Sequence, residues 1–301
     1  MRRKQYIPNK DIIKLLLLFL GPTFILYTVF YIYPFLSAFY ISLFEWNGFS
    51  RAMNYIGLKN FVRLFNDEIV WKGLLNNVFF LVWGTLIIFV MSIFCAVCIT
   101  RMRFRESGFY RVVFFFPNVL SIIVVGILWM FIYNPSFGLL NEILKSIRLD
   151  YLIRDWLGST KMVMGSLVAP QAWMFIGFYM VLFIAAIINI PEEYFEASTI
   201  DGAGMIRQLL TIIFPLIWDT LRTALVFFVV NAFSRTFALV FVVTKGGPNR
   251  ASELLTTYLY EQAFVNGNFG YATAIGVLLF VIVFIISASA LRLTKQESIE
   301  Y

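Results

Sequence analysis

The sequence predicts an all-α integral membrane fold with six transmembrane helices. Composition is the first reason: of 301 residues, 60% are hydrophobic and 14% charged, and the mean hydropathy is +0.82, more apolar surface than a soluble core absorbs. The second is the recurrence of uncharged runs long enough to cross a bilayer, which takes about 20 residues of helix. These runs lie near 15–44, 74–99, 112–133, 162–190, 221–243 and 269–291. A helix satisfies its own backbone hydrogen bonds in lipid, and runs of this length do not suit barrel strands, so each is expected to be helical.

The first run follows Arg2, Arg3 and Lys4, the charge pattern of a secretory signal, but its apolar core is too long and no small-residue cleavage site follows. A retained helix is expected. Lysines and arginines set the orientation: Arg2, Arg3, Lys4, Lys10 and Lys14 precede the first span, and Arg101, Arg103, Arg105 and Arg111 flank the short second connection. Both regions are predicted to be cytoplasmic, as are the segment 191–218 and the tail with Arg292 and Lys295. The predicted outer loops mix Arg51, Lys59, Arg63, Lys145 and Arg148 with Glu45, Asp67, Asp150 and Asp155, so the bias is moderate. The net charge of +7 follows from this topology and gives no reason to invoke nucleic acid. The chain divides into 1–70 (amino terminus, first helix, first outer loop), 71–292 (five helices and the polar loop at 191–218) and 293–301 (tail).

Several chemistries are excluded. With no histidine, the commonest metal ligand and general base is missing, and no H-E-x-x-H motif or histidine-containing triad can exist. No metal or catalytic site is expected. Cys95 and Cys98 form a C-x-x-C inside the second apolar run without a second pair, which suits small packing residues. Gly246-Gly247-Pro248 lacks the lysine of a phosphate loop. If ATP drives this protein, another chain binds it.

The loop 191–218 interrupts this apolar sequence with acids, glycines and an arginine. Pro191 ends the fourth run, and Glu192, Glu193 and Glu196 follow where a helix amino terminus favours them. Gly202-Ala203-Gly204 predicts a sharp turn. Beyond it, Ile206, Leu209, Leu210, Ile213 and Ile217 recur at helical spacing, with Arg207, Gln208 and Thr211 on the other side. Physics alone leaves an interfacial hairpin on lipid headgroups open as the bland explanation.

The spacing in this loop resembles a known signature. Glu196-Ala197-Ser198, Gly202 four positions on, and Ile212-x-Phe214-Pro215 ten positions beyond match the E-A-A, G, I-x-L-P pattern of membrane subunits of binding-protein-dependent ABC importers. Asp201-Gly202-Ala203 matches its fuller D-G-A form, while Ser198 and Phe214 depart from it. GLKNFVRLFND at 57–67, FFFPNVLSIIVVGILWMFIYNPSFGLLN at 114–141, TKGGPNRASELLTTYLYEQAF at 244–264 and Gly270-Tyr271-Ala272 narrow the resemblance. They are similar to the first permease of maltose, multiple-sugar, lactose and glycerol-3-phosphate importers.

The resemblance implies a type I ABC importer permease in the bacterial cytoplasmic membrane, with both termini cytoplasmic, moving a sugar or sugar derivative. It implies four kinds of neighbour: a second homologous permease in a heterodimer, two ATPase subunits that bind ATP and magnesium, an extracytoplasmic substrate-binding protein meeting the loop 134–161, and lipid. This chain would bind no cofactor and would be no enzyme. The loop becomes a coupling helix docked in a groove of the ATPase subunit, with Glu196, Ala197, Ile200, Asp201, Gly202, Ala203, Met205, Ile206, Ile212 and Pro215 as its residues. In that reading Ile200, Met205 and Ile206 fill the groove, Glu196 and Asp201 make polar contacts, and Gly202 permits the bend.

A substrate pathway is sought among polar groups inside the spans. Arg235 lies near the middle of the fifth run, where a cation costs about 2.5 to 3.5 kcal/mol, so it is expected to face the interior, a partner or water. Asn231 shares its helix face. Gln171 and Trp173 in the fourth span add an amide and an aromatic ring suited to sugars. For each the alternative is structural: an interhelical hydrogen bond for Asn231 and Arg235, packing for Trp173. A secondary transporter or channel for a small polar solute, or a membrane scaffold, would also show six spans; the 196–215 spacing argues against both.

Overall fold

The computed structural model describes residues 10–102 and 105–293. Arg2, Arg3, Lys4, Arg103 and Lys295, invoked for the orientation, lie outside the described residues, as does the predicted tail beyond 293. The chain divides into two compact units, Met1–Asn66 with Gln262–Val277, and Asp67–Glu261 with Leu278–Tyr301.

In the first unit, α1 (Lys10–Tyr27) passes through a wide π turn (Thr28–Ile32) into α2 (Tyr33–Ile41). The widening has a local cause: Pro34 has no amide proton for the carbonyl four residues back, and the Tyr33 N–H reaches Thr28 O instead. Strand β1 (Phe44–Glu45) then pairs antiparallel with β2 (Asn54–Tyr55), Phe44 opposite Tyr55. Helix α3 (Lys59–Phe65) follows. Its buried Asn60 donates from Nδ2 to Ser42 O and Phe44 O, both at 2.9 Å, which explains the asparagine of the GLKNF stretch. Arg63 lies 4.0 Å over the Tyr271 ring.

The second unit opens on α4 (Glu68–Arg101), capped by the Asp67 carboxylate accepting from Ile69 N at 2.9 Å. At 1.5 Å per residue this helix is about 50 Å long, more than the hydrocarbon core of a bilayer requires. Next come α5 (Ser107–Val119), α6 (Ile122–Ile132), α7 (Leu139–Ser146) and α8 (Val163–Ile188). The run 112–133, expected as one helix, is two: α5 and α6 meet at 99°. Leu120 and Ser121 are extended at the break, one turn after Pro117.

After α8 come α9 (Glu192–Ile200), α10 (Met205–Gln208), α11 (Phe214–Leu216), α12 (Trp218–Val243), α13 (Leu255–Tyr260) and α14 (Phe269–Leu293), the last beginning in the first unit and continuing in the second. Among the described residues four helical stretches are long and apolar enough to span a membrane unbroken, and two bent pairs bring the number to six if each counts once. The core of the second unit gathers on α8, where Phe89, Tyr179, Phe183 and Phe228 form an aromatic cluster with ring centroids 5.0 to 6.3 Å apart. Cys95 is buried in the same core, as a packing residue.

The connection between α12 and α13 is tied down by α4. Asn76 Nδ2 donates to Ala251 O and Glu253 O, Asn77 Oδ1 accepts from Leu255 N at 3.0 Å, and Tyr258 Oη donates to Asp67 Oδ2 at 2.7 Å. Arg250 forks onto Glu261 at 2.8 and 2.9 Å and reaches Glu253 at 3.0 Å. Gly246 (φ +86°) leaves room for Glu253, whose Oε2 a Cβ there would approach to 2.8 Å. Burial pushes the Glu253 carboxyl above its usual range, against the opposing effects of the Thr257 hydroxyl and the Arg250 guanidinium.

Candidate functional site

The loop between α8 and α12 is a helix-turn-helix closed by hydrogen bonds across its turn. Its turn is a Schellman motif: Gly202 takes φ +74°, its N–H reaches Thr199 O at 3.0 Å, and Ala203 N–H reaches Ser198 O at 2.9 Å. Nothing lies within 4 Å of where a Gly202 Cβ would stand, so the requirement for glycine is conformational, not steric. Across the turn, the buried Gln208 donates from Nε2 to Ser198 Oγ at 3.0 Å and Thr199 Oγ1 at 3.1 Å. Ser198, which departs from the alanine of the resembled motif, thus gains an acceptor that alanine lacks.

Two side chains fasten α9 to the bundle. Phe195 is buried, with the Arg101 guanidinium 3.7 Å over its ring. The same Arg101, at the end of α4, donates from Nη1 to both Glu192 oxygens at 3.2 Å. Before Pro215 the chain widens into a second π turn (Leu209–Ile213), where Phe214 N–H reaches Leu209 O, the solution already seen before Pro34.

The sequence-predicted loop residues divide by face. Ile200 and Ile206 stand outward at 86% and 75% exposure, and Glu196, Ala197, Asp201, Gly202 and Pro215 are exposed with them. Met205 and Ile212 instead pack, half-buried, against the chain's own core, and Ala203 is half-buried in the turn.

A second constellation surrounds a small cavity of about 60 Å³ between α8 and α12, which also receives Asn118 of α5. It is lined by Gln171, Asn231 and Arg235 together with Phe175, Tyr179 and Phe228. Gln171 is 3% exposed; its Nε2 reaches Thr236 Oγ1 at 3.3 Å, and its Oε1 has no hydrogen-bond partner among the described residues. The Arg235 guanidinium lies 5.4 Å from the Phe175 ring centroid, its side chain exposed. Asn231 Nδ2 donates to Phe227 O at 2.8 Å. Trp173 does not join them. Two residues along a helix are about 200° around its axis, and Trp173 meets Trp129 edge-on at 6.2 Å over a separate hollow. Asn118 was not singled out from sequence, although an amide following Pro117 in an apolar run was the available signal.

Apolar helices bent at two places, with a hydrogen-bonded helix-turn-helix leading into α12, define a helical membrane protein. The chain belongs to the family of binding-protein-dependent transport system inner membrane components, whose model matches residues 88–296. It is 38% identical over 279 residues to the probable ABC transporter permease protein YurN of Bacillus subtilis, covering 92% of this chain and 95% of that protein. It is 34% identical over 287 residues to the diacetylchitobiose uptake system permease protein NgcF of Streptomyces coelicolor, covering 92% and 81%. Its fold matches, with a TM-score of 0.82 at 24% identity over 96% of this chain and 97% of the other, a chain in the crystal structure of a bacterial alginate ABC transporter in complex with alginate pentasaccharide-bound periplasmic protein. The expected type I ABC importer permease architecture is the one observed.

Proposed function

We propose that this chain is the permease subunit of an ATP-driven importer carrying a sugar or sugar derivative across the bacterial cytoplasmic membrane, with 191–218 as its coupling loop. The observation that carries the coupling role is the division of the loop's faces. Phe195 and Gln208 are spent on holding it to the bundle and closing it, while Ile200 and Ile206 are left outward on a turn with fixed geometry. Exposed isoleucines on a rigid turn suit insertion into an apolar groove of an ATPase subunit, with Glu196 and Asp201 as polar contacts at its edge. ATP and magnesium are held by two such subunits and not by this chain.

Further partners follow from the same reading. Arg235 is exposed on an apolar helix, where lipid would disfavour it by about 2.5 to 3.5 kcal/mol, so a second homologous permease, or the water-filled path between the two, covers that face. Gln171, with its unpaired oxygen, and Asn118, Asn231 and Arg235 line this path and offer hydrogen bonds to hydroxyls. The diacetylchitobiose and alginate systems among its relatives support a sugar as cargo. The periplasmic protein in the alginate complex supports an extracytoplasmic binding protein as a partner. Arg101 touches Glu192, and this contact between the basic second connection and the 191–218 loop supports a cytoplasmic location for both. Co-purification of a nucleotide-binding subunit with this chain, lost in the Ile200→Glu/Ile206→Glu variant while membrane insertion is kept, tests the proposal; unchanged co-purification would reject the docking face.

A further inference from the structure

At the end of the second unit away from the 191–218 loop, a hollow of about 700 Å³ opens between α4, α6 and α8, within the range of small-molecule sites. We propose that it binds an anionic phospholipid, its phosphate held by Lys72 and Lys161. The level of the hollow is the first argument. Lys72 stands two residues before the uncharged run of α4, Tyr133 caps α6, and Lys161 lies two residues before α8. Three successive span ends therefore meet there, where hydrocarbon gives way to headgroups. Tyr133 and Trp156, with ring centroids 6.1 Å apart, are aromatic residues of the kind that sit at this boundary.

The inventory of polar groups is the second argument. Three neutral donors in the hollow are engaged within the chain: Tyr133 Oη donates to Ser166 O at 2.9 Å, Trp156 Nε1 to Asn141 Oδ1 at 2.8 Å, and Asn76 Nδ2 to Ala251 O and Glu253 O, while the side chains of Thr160 and Asn249 in its lining have no hydrogen bond among the described residues. The lysines are less committed. Lys72 uses one proton on Asn249 O at 3.1 Å, and the exposed Lys161 has no hydrogen bond or ion pair among the described residues. Among the described residues no carboxylate lines the hollow, and its apolar lining includes Phe79, Leu140 and Met164. Cationic donors beside an apolar lining match a phosphate joined to acyl chains, and match a free anion less well.

The test uses the assembled importer in phosphatidylcholine nanodiscs doped with phosphatidylglycerol, with retained lipid counted by native mass spectrometry. The wild type is expected to retain phosphatidylglycerol over phosphatidylcholine. Lys72→Gln/Lys161→Gln should weaken that retention about thirtyfold, from two lysines near a membrane surface, whereas Lys145→Gln, outside the hollow, should not. Millimolar inorganic phosphate should leave the lipid in place; displacement by phosphate would assign a free-anion site and overturn the proposal. A second readout keeps both lysines. Phosphatidylglycerol brominated on its acyl chains should quench tryptophan fluorescence more than brominated phosphatidylcholine does, and Trp156→Phe should abolish the difference. Equal retention of the two lipids, undiminished retention in the double variant, or quenching indifferent to headgroup would each overturn it.

Discussion

Gln208 Nε2 lies 3.0 Å from Ser198 Oγ and 3.1 Å from Thr199 Oγ1, so one buried amide group closes the helix-turn-helix from the far side of its turn. Each bond contributes about 1 kcal/mol net. Gln208→Ala should therefore lower thermal stability by about 1–2 kcal/mol and reduce ATP hydrolysis stimulated by the binding protein. Ser198→Ala leaves the Thr199 acceptor in place and should cost less than about 1 kcal/mol, with stimulation retained. Thermal unfolding in detergent and stimulated ATP hydrolysis measure the two effects.

Gly202 separates conformation from packing. Its φ of +74° is left-handed, and a Cβ there meets nothing within 4 Å. Ordinary L residues lose about 1–2 kcal/mol in that region, asparagine less. Gly202→Val should insert normally yet lose stimulated ATP hydrolysis, while Gly202→Asn should keep it. Equal activity of the two variants would remove the turn from the mechanism.

Gln171 combines a cost to stability with a proposed use. Its buried Oε1 is unpaired, and such an atom costs about 1–3 kcal/mol. Gln171→Met should raise thermal stability by about 1 kcal/mol and lower sugar uptake in proteoliposomes. A variant that is stabilised and transports normally would identify the glutamine as structural.

Arg235→Leu should insert at least as well as the wild type, since leucine removes the penalty of a cation in the span. Uptake should fall or the substrate range should narrow. Uptake and range both unchanged would take Arg235 off the pathway.

Glu253 gives the connection between α12 and α13 a pH dependence of definite sign. Its carboxyl is raised above 4.5, chiefly by burial, so the native state holds that proton to higher pH than the unfolded chain does. Its contribution to stability is greatest below pH 4.5 and declines as pH rises from there through the raised value. Arg250 and Glu261 stay in place in Glu253→Gln, which should flatten that part of the stability–pH curve; melting temperatures of both proteins across the acid range check this.

Much of this was legible in the residues. The apolar runs marked the membrane-crossing segments, the glycines and acids of 191–218 marked a turn between helices, and helical spacing placed Asn231 and Arg235 together. The 99° break in the third run was not, because the residues after Ser121 are continuously apolar and periodicity carries no bend angle. Trp173 was grouped with Gln171 by chemistry, although helical geometry puts them on nearly opposite faces. Asn77 and Arg250 escaped notice for a different reason: Asn77 bonds a residue 178 positions away, and Arg250 acquires its role only when the connection folds onto Glu261. Pairings at that range are set by tertiary packing and leave no local pattern.

The measurement that bears most directly on the central claim is sugar uptake by proteoliposomes containing this chain with the proposed second permease and ATPase subunits, and the proposed binding protein outside. Uptake should require ATP inside, stop when the ATPase subunits are left out, and fall with Ile200→Glu/Ile206→Glu at unchanged insertion. Uptake sustained by an imposed ion gradient without ATP or the ATPase subunits would contradict the account.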